Sequence, residues 1–282
     1  MLAKLYLEIT NECDLACPFC PESRREPASM RLEDFEIYLR RIEGRVEELH
    51  LHVKGEPLLH PALGDMLEAA ARSRLPVSLV TNGTRLAERA SLLLGARGLR
   101  KLSVSLHSRV GLPGLERYWR GVEAFLDLHR LRPAFPVSLR LWNRGAAGLP
   151  PETARIWGLL EARYPGAGDW KDSSDRWKSR RLDEKVYLNQ AEEFRWPGLG
   201  LPALASRGTC HGIRDQVAVL VDGTVAPCCL DGEGAVPLGN LRESSLETIL
   251  EAPRARAMRD GFAHRVLVEE LCRTCGYRER FG

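Results

Sequence analysis

The eight cysteines of this 282-residue chain stand at positions 13, 17, 20, 210, 228, 229, 272 and 275, with none between 21 and 209. No other feature constrains the chain as much. A disulfide framework belongs to a short exported chain with cysteines spread along it. Here there is no run of about 18 uncharged apolar residues. Lys4 and Glu8 interrupt the start of the chain, so there is no signal-peptide core. Export and membrane insertion are not expected, and a cytoplasmic location is. In a reducing compartment clustered thiols point to metal rather than to disulfides. The chain divides into an N-terminal triplet, a long cysteine-free body and a cysteine-rich C-terminal segment.

The body alternates two periodicities. Lys4–Thr10, Glu48–Val53, Val77–Thr81, Lys101–His107 and Val137–Trp142 read as strands. Leu32–Ile42, Pro61–Ser73, Arg85–Leu93, Leu115–Leu131 and Pro151–Tyr164 read as helices. Lys185–Leu188 adds a sixth short strand. Such alternation predicts parallel pairing with right-handed crossovers. Five or six units are too few for a closed eightfold barrel, so the expectation is an α/β fold with a partial, open, TIM-like barrel over residues 1–190. Ligands of such sheets sit beyond the C-terminal strand ends. Residues 191–282 form a second, smaller unit. It holds a hairpin (Gln216–Val221, an Asp222-Gly223 turn, Val225–Cys228) and a helix over Ser244–Asp260. The polar stretch Asp169–Arg181 reads as an exposed insertion.

Cys13-x3-Cys17-x2-Cys20 falls in the loop after the first strand. Three thiolates hold three irons of a cubane cluster and leave the fourth iron open to a substrate or cofactor. Structural zinc sites, by contrast, are closed four-ligand tetrahedra, and the nearest histidine to the triplet is His50. At the other end, Cys210-x17-Cys228 is followed by a gap of 43 residues and then Cys272-x2-Cys275. Four thiolates saturate either a second cluster or a zinc ion, and the spacing does not separate the two. The x17 spacing selects Cys228 over its neighbour Cys229.

The triplet resembles the signature of radical S-adenosylmethionine (SAM) enzymes, and the resemblance extends over most of the chain. It implies a six-unit partial barrel, (β/α)6, and an open iron chelated by the amine and carboxylate of SAM. It also implies reductive cleavage of SAM to methionine and a 5′-deoxyadenosyl radical that abstracts a substrate hydrogen. Phe19 resembles the aromatic residue that lies near the adenine in that family. Lys54-Gly55-Glu56-Pro57 resembles its Gly-Gly-Glu motif, which binds the SAM amine, with Lys54 in place of the first glycine. Thr81-Asn82-Gly83 ends the third strand as in many relatives. Ser103, Ser105 and Arg140 resemble the residues that hold the ribose and carboxylate. The planar fork of an arginine suits a carboxylate. The C-terminal pattern is similar to the twitch form of the SPASM domain. That likeness favours a cluster over zinc and implies two [4Fe–4S] clusters in all. The metal ligands so implied are Cys13, Cys17 and Cys20, and Cys210, Cys228, Cys272 and Cys275. An external donor such as flavodoxin or ferredoxin supplies electrons.

A fully ligated second cluster has no open iron, so its expected role is to accept or relay an electron. That favours net oxidation of a substrate, an oxidoreductase reaction. Lys54 and His107, at strand ends, are candidate catalytic acid/base groups. The first strand begins by residue 4 and leaves no room for an N-terminal leader-binding domain, which tilts the expectation towards a small-molecule substrate. The alternatives are a maturase of a ribosomally made peptide working with a separate recognition protein, or an RNA-modifying enzyme. With 41 basic and 38 acidic residues, the charge gives little support to nucleic acid. Trp170, Trp177, Lys178, Arg180 and Arg181 in the insertion are the one basic, aromatic stretch suited to stacking and phosphate contact.

Overall fold

The structure, a computed structural model, describes residues 1–144, 151–167 and 179–281. It comprises two compact units, Met1–Val77 with Phe194–Gly282, and Ser78–Glu193.

In the first unit β1 (Lys4–Leu7) runs parallel to β2 (Leu49–His50) on one side and to β8 (Gln216–Val219) on the other. β9 (Thr224–Ala226) and β10 (Gly239–Asn240) continue antiparallel from β8. Alternation along β1 sends Leu5, Leu7 and Ile9 to one face, where they are fully buried together with Leu49 and Leu51. α1 (Leu32–Ile42) and α2 (Leu63–Arg72) pack against each other. Each carries a buried stripe at helical spacing, Phe35, Tyr38, Leu39 and Ile42 on one, Leu63, Met66, Leu67 and Ala70 on the other. Tyr6 and Glu8 take the opposite face of β1.

The second unit contains β3 (Val77–Thr81), β4 (Leu99–Ser105), β5 (Val137–Arg144), β6 (Ser179–Asp183) and β7 (Val186–Glu192), in the spatial order β3-β4-β5-β7-β6. β5 is parallel to β4 and to β7, and β6 is antiparallel to β7. α3 (Ala90–Gly95), α4 (Leu115–Leu131) and α5 (Pro151–Arg163) intervene. The strand order is linear and does not return on itself, so this is an α/β fold with an open, mixed sheet.

The strand expected over Glu48–Val53 is cut to Leu49–His50, because the chain bends there to bring the Lys54 amide to Glu8. The helix expected over Ser244–Asp260 is two helices, α6 (Leu246–Leu250) and α7 (Pro253–Ala263). The hydroxyl of Ser245 accepts from the Thr248 amide to cap α6, and Pro253 opens α7. Proline has no N–H, which suits a first turn and breaks a helix interior. Arg180 and Arg181, expected in an insertion, lie in β6. Trp170, Trp177 and Lys178 lie outside the described residues. Among the described residues, no helix is long and apolar enough to cross a membrane.

Candidate radical and auxiliary cluster sites

The loop carrying Cys13, Cys17 and Cys20 leaves the C-terminal end of β1 and is closed at its neck. The Asn11 side chain donates to the Glu26 carbonyl at 2.8 Å and accepts from the Ala28 amide at 2.7 Å. Thr10 Oγ1 donates to the Ala28 carbonyl at 3.2 Å. Deeper in, the fully buried Glu8 carboxylate accepts two bonds from Arg25, at 2.7 and 2.6 Å. It also accepts from the amides of Lys54 and Val221, each at 3.1 Å. A buried carboxylate is tolerable only when satisfied in this way. One side chain thus ties together the end of β1, the return limb of the cysteine loop, the loop after β2 and the loop after β8. Beyond the neck, Cys13 and Cys20 are exposed and Cys17 is half-buried. The Cys20 amide donates to the Cys17 carbonyl at 3.0 Å, and Phe19 between them is half-buried.

The loop after β2 lies flush against this neck. Gly55 has φ +72°, and a Cβ there would stand 2.3 Å from the Thr10 carbonyl oxygen and 2.8 Å from that of Glu12. Only glycine permits both the conformation and the approach. The Glu56 amide donates to the Glu12 carbonyl at 2.8 Å. The buried Glu56 carboxylate accepts from the Leu58 amide at 2.9 Å and caps the short 3₁₀ turn Pro57–Leu59. Lys54 is buried too, and its ammonium donates to the Pro21 carbonyl and stands 3.9 Å from Cys20 Sγ.

In the second unit, Thr81 ends β3. Thr81 Oγ1 accepts from the Gly83 amide at 2.9 Å, and Asn82 Oδ1 accepts from the Thr84 amide at 2.9 Å. The Asn82 carbonyl accepts from Tyr118 Oη at 3.0 Å and Ser108 Oγ at 3.3 Å. These contacts lock a turn. Ser103 is buried and Ser105 half-buried on β4. The register places Ser103 beside Ser138, Ser105 beside Arg140, and Arg140 beside Asn189. A polar row therefore crosses three parallel strands. Asn189 extends it and donates to Ser138 Oγ at 2.8 Å. The Arg140 guanidinium lies 4.6 Å from the ring centre of Trp142. His107 Nδ1 is 3.1 Å from the Arg140 carbonyl oxygen, which assigns the proton to Nδ1. Burial pulls this imidazole down to about 4, so it is neutral at pH 7. Sequence reasoning missed Ser138, Trp142 and Asn189. Strand register finds Ser138 and Asn189, and the contact with the Arg140 guanidinium finds Trp142.

The C-terminal thiols converge. Burial first, and then the neighbouring Cys229, Cys210 and Cys272, push Cys228 well above the ordinary thiol range. Burial, Cys210 and Cys275 push Cys272 up to about 12. Backbone N–H groups already point at the sulfurs. Gly212 donates to Cys210 Sγ at 3.4 Å, Leu230 donates to Cys228, and Tyr277 and Arg278 donate to Cys275. A Cβ on Gly212 would stand 3.7 Å from both Cys210 Sγ and Cys228 Cβ. Cys229 is hydrogen-bonded to Tyr6, and burial pushes it up to about 11. Among the described residues, no three His, Cys, Asp or Glu side chains are arranged to hold a single metal ion. A set of thiols, Cys275 buried and the others half-buried, served by N–H donors fits an iron–sulfur cluster, whose potential such bonds help set.

Residues 7–110 match the radical SAM superfamily, and residues 210–276 match SPASM, an iron–sulfur cluster-binding domain. The chain thus carries a radical SAM domain and a C-terminal SPASM domain. Its relatives include GTP 3',8-cyclase of Synechococcus sp. (strain WH7803), 38% identical over 119 residues, which cover 38% of this chain and 34% of that protein. PqqA peptide cyclase of Streptomyces rochei is 33% identical over 108 residues, 37% of this chain and 29% of that protein. The chain thus spans about a third of the length of these curated relatives. Solved structures align over nearly all of it. BtrN in complex with AdoMet and 2-DOIA superposes with a TM-score of 0.60 at 17% identity, over 98% of this chain and 93% of that one. Streptococcus suis SuiB bound to the precursor peptide SuiA gives 0.62 at 16% identity, over 98% and 70%. At such identities the likeness shows the fold, a partial barrel with an appended C-terminal domain.

Proposed function

We propose that this chain cleaves SAM reductively and uses the radical to oxidise a small molecule, an auxiliary cluster taking the surplus electron. The observation that carries this reading is a cysteine triplet, with Cys13 and Cys20 exposed, on a loop whose neck is locked onto Gly55 and Glu56. Cys13, Cys17 and Cys20 would hold the first [4Fe–4S] cluster. Cys210, Cys228, Cys272 and Cys275 would hold the second, with Cys229 turned to Tyr6. When bound and reduced, the first cluster supplies the electron that cleaves SAM to methionine and the hydrogen-abstracting radical. Phe19, Gly55, Glu56, Thr81 and Asn82 would line the SAM site, and Ser103, Ser105 and Arg140 would hold its ribose and carboxylate. The buried Glu56 carboxylate suits an ammonium, and the Arg140 fork suits a carboxylate. His107 would serve as a neutral acceptor through Nε2, though at about 4 it is a weak base. The Lys54 ammonium is engaged with the cysteine loop, so this account assigns it no acid/base role towards substrate.

The partial match to GTP 3',8-cyclase and the full-length likeness to BtrN support a small-molecule substrate. A second reading, a peptide maturase with a separate recognition protein, is favoured by the match to PqqA peptide cyclase and the likeness to SuiB. An acidic electron carrier such as flavodoxin or ferredoxin would reduce the first cluster. The test is release of 5′-deoxyadenosine by the anaerobically reconstituted, reduced protein, in buffer, with a small-molecule cell extract, and with the macromolecular fraction. Stimulation by the small-molecule extract is expected. Stimulation only by macromolecules would favour the second reading, and no release at all would contradict both.

A further inference from the structure

Binding the SAM amine does not require a lysine at position 54, yet the structure builds a socket for one. The Lys54 amide is fixed by Glu8 at 3.1 Å. Its stem lies on Gly232, where a Cβ would stand 3.0 Å from both Cγ and Cε of the lysine. Its ammonium lies 5.5 Å from the ring centre of Trp196, donates to the Pro21 carbonyl and reaches Cys20 Sγ at 3.9 Å. Gly232 and Trp196 belong to the C-terminal segment, so that segment holds a cation against a cysteine of the N-terminal triplet.

We propose that Lys54 sets the redox poise of the cluster on the triplet, by placing a positive charge and an N–H donor on its Cys20 ligand, with Trp196 as the positioning residue that keeps the ammonium there. This rests on the triplet carrying that cluster. Reduction adds one negative charge to a cluster, so a cation and a hydrogen bond at a ligand sulfur stabilise the reduced form and raise its potential. An ammonium 3.9 Å from that sulfur, on a lysine that is itself buried, is screened less than a charge on the open surface.

The test is an EPR-monitored redox titration of the holoenzyme, which reads both clusters in one sample without turnover. In Lys54→Met the triplet cluster's midpoint shifts to lower potential while the auxiliary cluster's stays in place. Lys54→Arg, which keeps the charge, retains most of the wild-type midpoint. Trp196→Leu shifts it in the same direction as Lys54→Met and by less. Should Lys54→Met fail to assemble, Lys54→Gln, which drops the charge and keeps a donor, is expected to lower the midpoint as well. An unchanged midpoint in a Lys54→Met or Lys54→Gln protein that carries the triplet cluster would overturn the proposal. An equal shift of both clusters would also overturn it, because general loosening would then be the cause. If the wild type shows no cluster that depends on Cys13, Cys17 and Cys20, the reading of the triplet fails, a separate and distinguishable result.

Discussion

The two cysteine sets lie in the same compact unit and are built in opposite ways. Cys13 and Cys20 are exposed on a loop with no secondary structure of its own, ordered by a neck of side-chain bonds at its base. Cys228 and Cys272 are half-buried and raised by burial and by neighbouring thiols, and backbone N–H groups face the sulfurs of Cys210, Cys228 and Cys275. On the proposed reading the difference follows from what each set would have to do. A cluster with an open iron must admit a cofactor, so its ligands cannot be covered, and their order has to come from beneath. A closed cluster exchanges only electrons, so burial costs it no function and helps to set its potential.

The contrast breaks most sharply at the ligands. Cys17→Ala is expected to abolish 5′-deoxyadenosine release and to lower bound iron from about eight to about four per chain. Cys228→Ser is expected to lose a similar amount of iron while still binding SAM. Iron assay and SAM binding check both. Equal loss of SAM binding in the two variants would erase the distinction. Next comes the neck. Glu8→Gln removes the carboxylate paired with the mostly buried Arg25, leaving only the more distant Glu233 and Asp222 to offset its charge, and losing such a partner costs up to about 3–5 kcal/mol. Denaturant unfolding of the apoprotein measures it, and a loss below about 1 kcal/mol would remove the neck from the account.

His107 supplies a reference outside both sets. Its pKa is about 4 in the folded chain against 6.5 for the ordinary side chain. Between those values the unfolded chain binds the proton and the native chain does not. Native stability therefore falls as pH drops from about 6.5 to about 4, by up to about 3 kcal/mol. Unfolding free energy against pH, compared between wild type and His107→Leu, checks the slope, and an identical slope would contradict it. Gly55→Ala comes below that, at about 2 kcal/mol or more, from the positive φ and the clash with the Thr10 carbonyl, read as a lowered midpoint of thermal unfolding. The smallest effect belongs to Cys229→Ser, which should leave iron content unchanged. Loss of about four irons there would move the ligand role from Cys228 to its neighbour.

Much of this was legible in the sequence where the signal is local. Leu32–Ile42 and Leu115–Leu131 begin and end where their apolar spacing says, since each helix buries one stripe. Gly55 was legible only through the resemblance to the Gly-Gly-Glu motif, and its close approach to the Thr10 and Glu12 carbonyls exists only in the fold. The break at Pro253 was written in the sequence too, but apolar spacing carried across it. What local pattern cannot carry is a contact between distant residues. Nothing near Glu8 announces that its partners are Arg25, 17 residues on, and the amide of Val221, 213 residues on. The same holds for the pairing of β8 with β1, which joins the C-terminal segment to the start of the chain. Lys54 stood out as a departure from a motif, but its socket is made by Gly232 and Trp196 and exists only in the fold.

The most direct test of the open-versus-closed distinction is EPR of the reduced protein with and without SAM, in a Cys272→Ala/Cys275→Ala variant, which keeps the triplet intact and removes two ligands of the second site. The account predicts a cluster signal that changes when SAM is added. A signal identical in the presence and absence of SAM would contradict it.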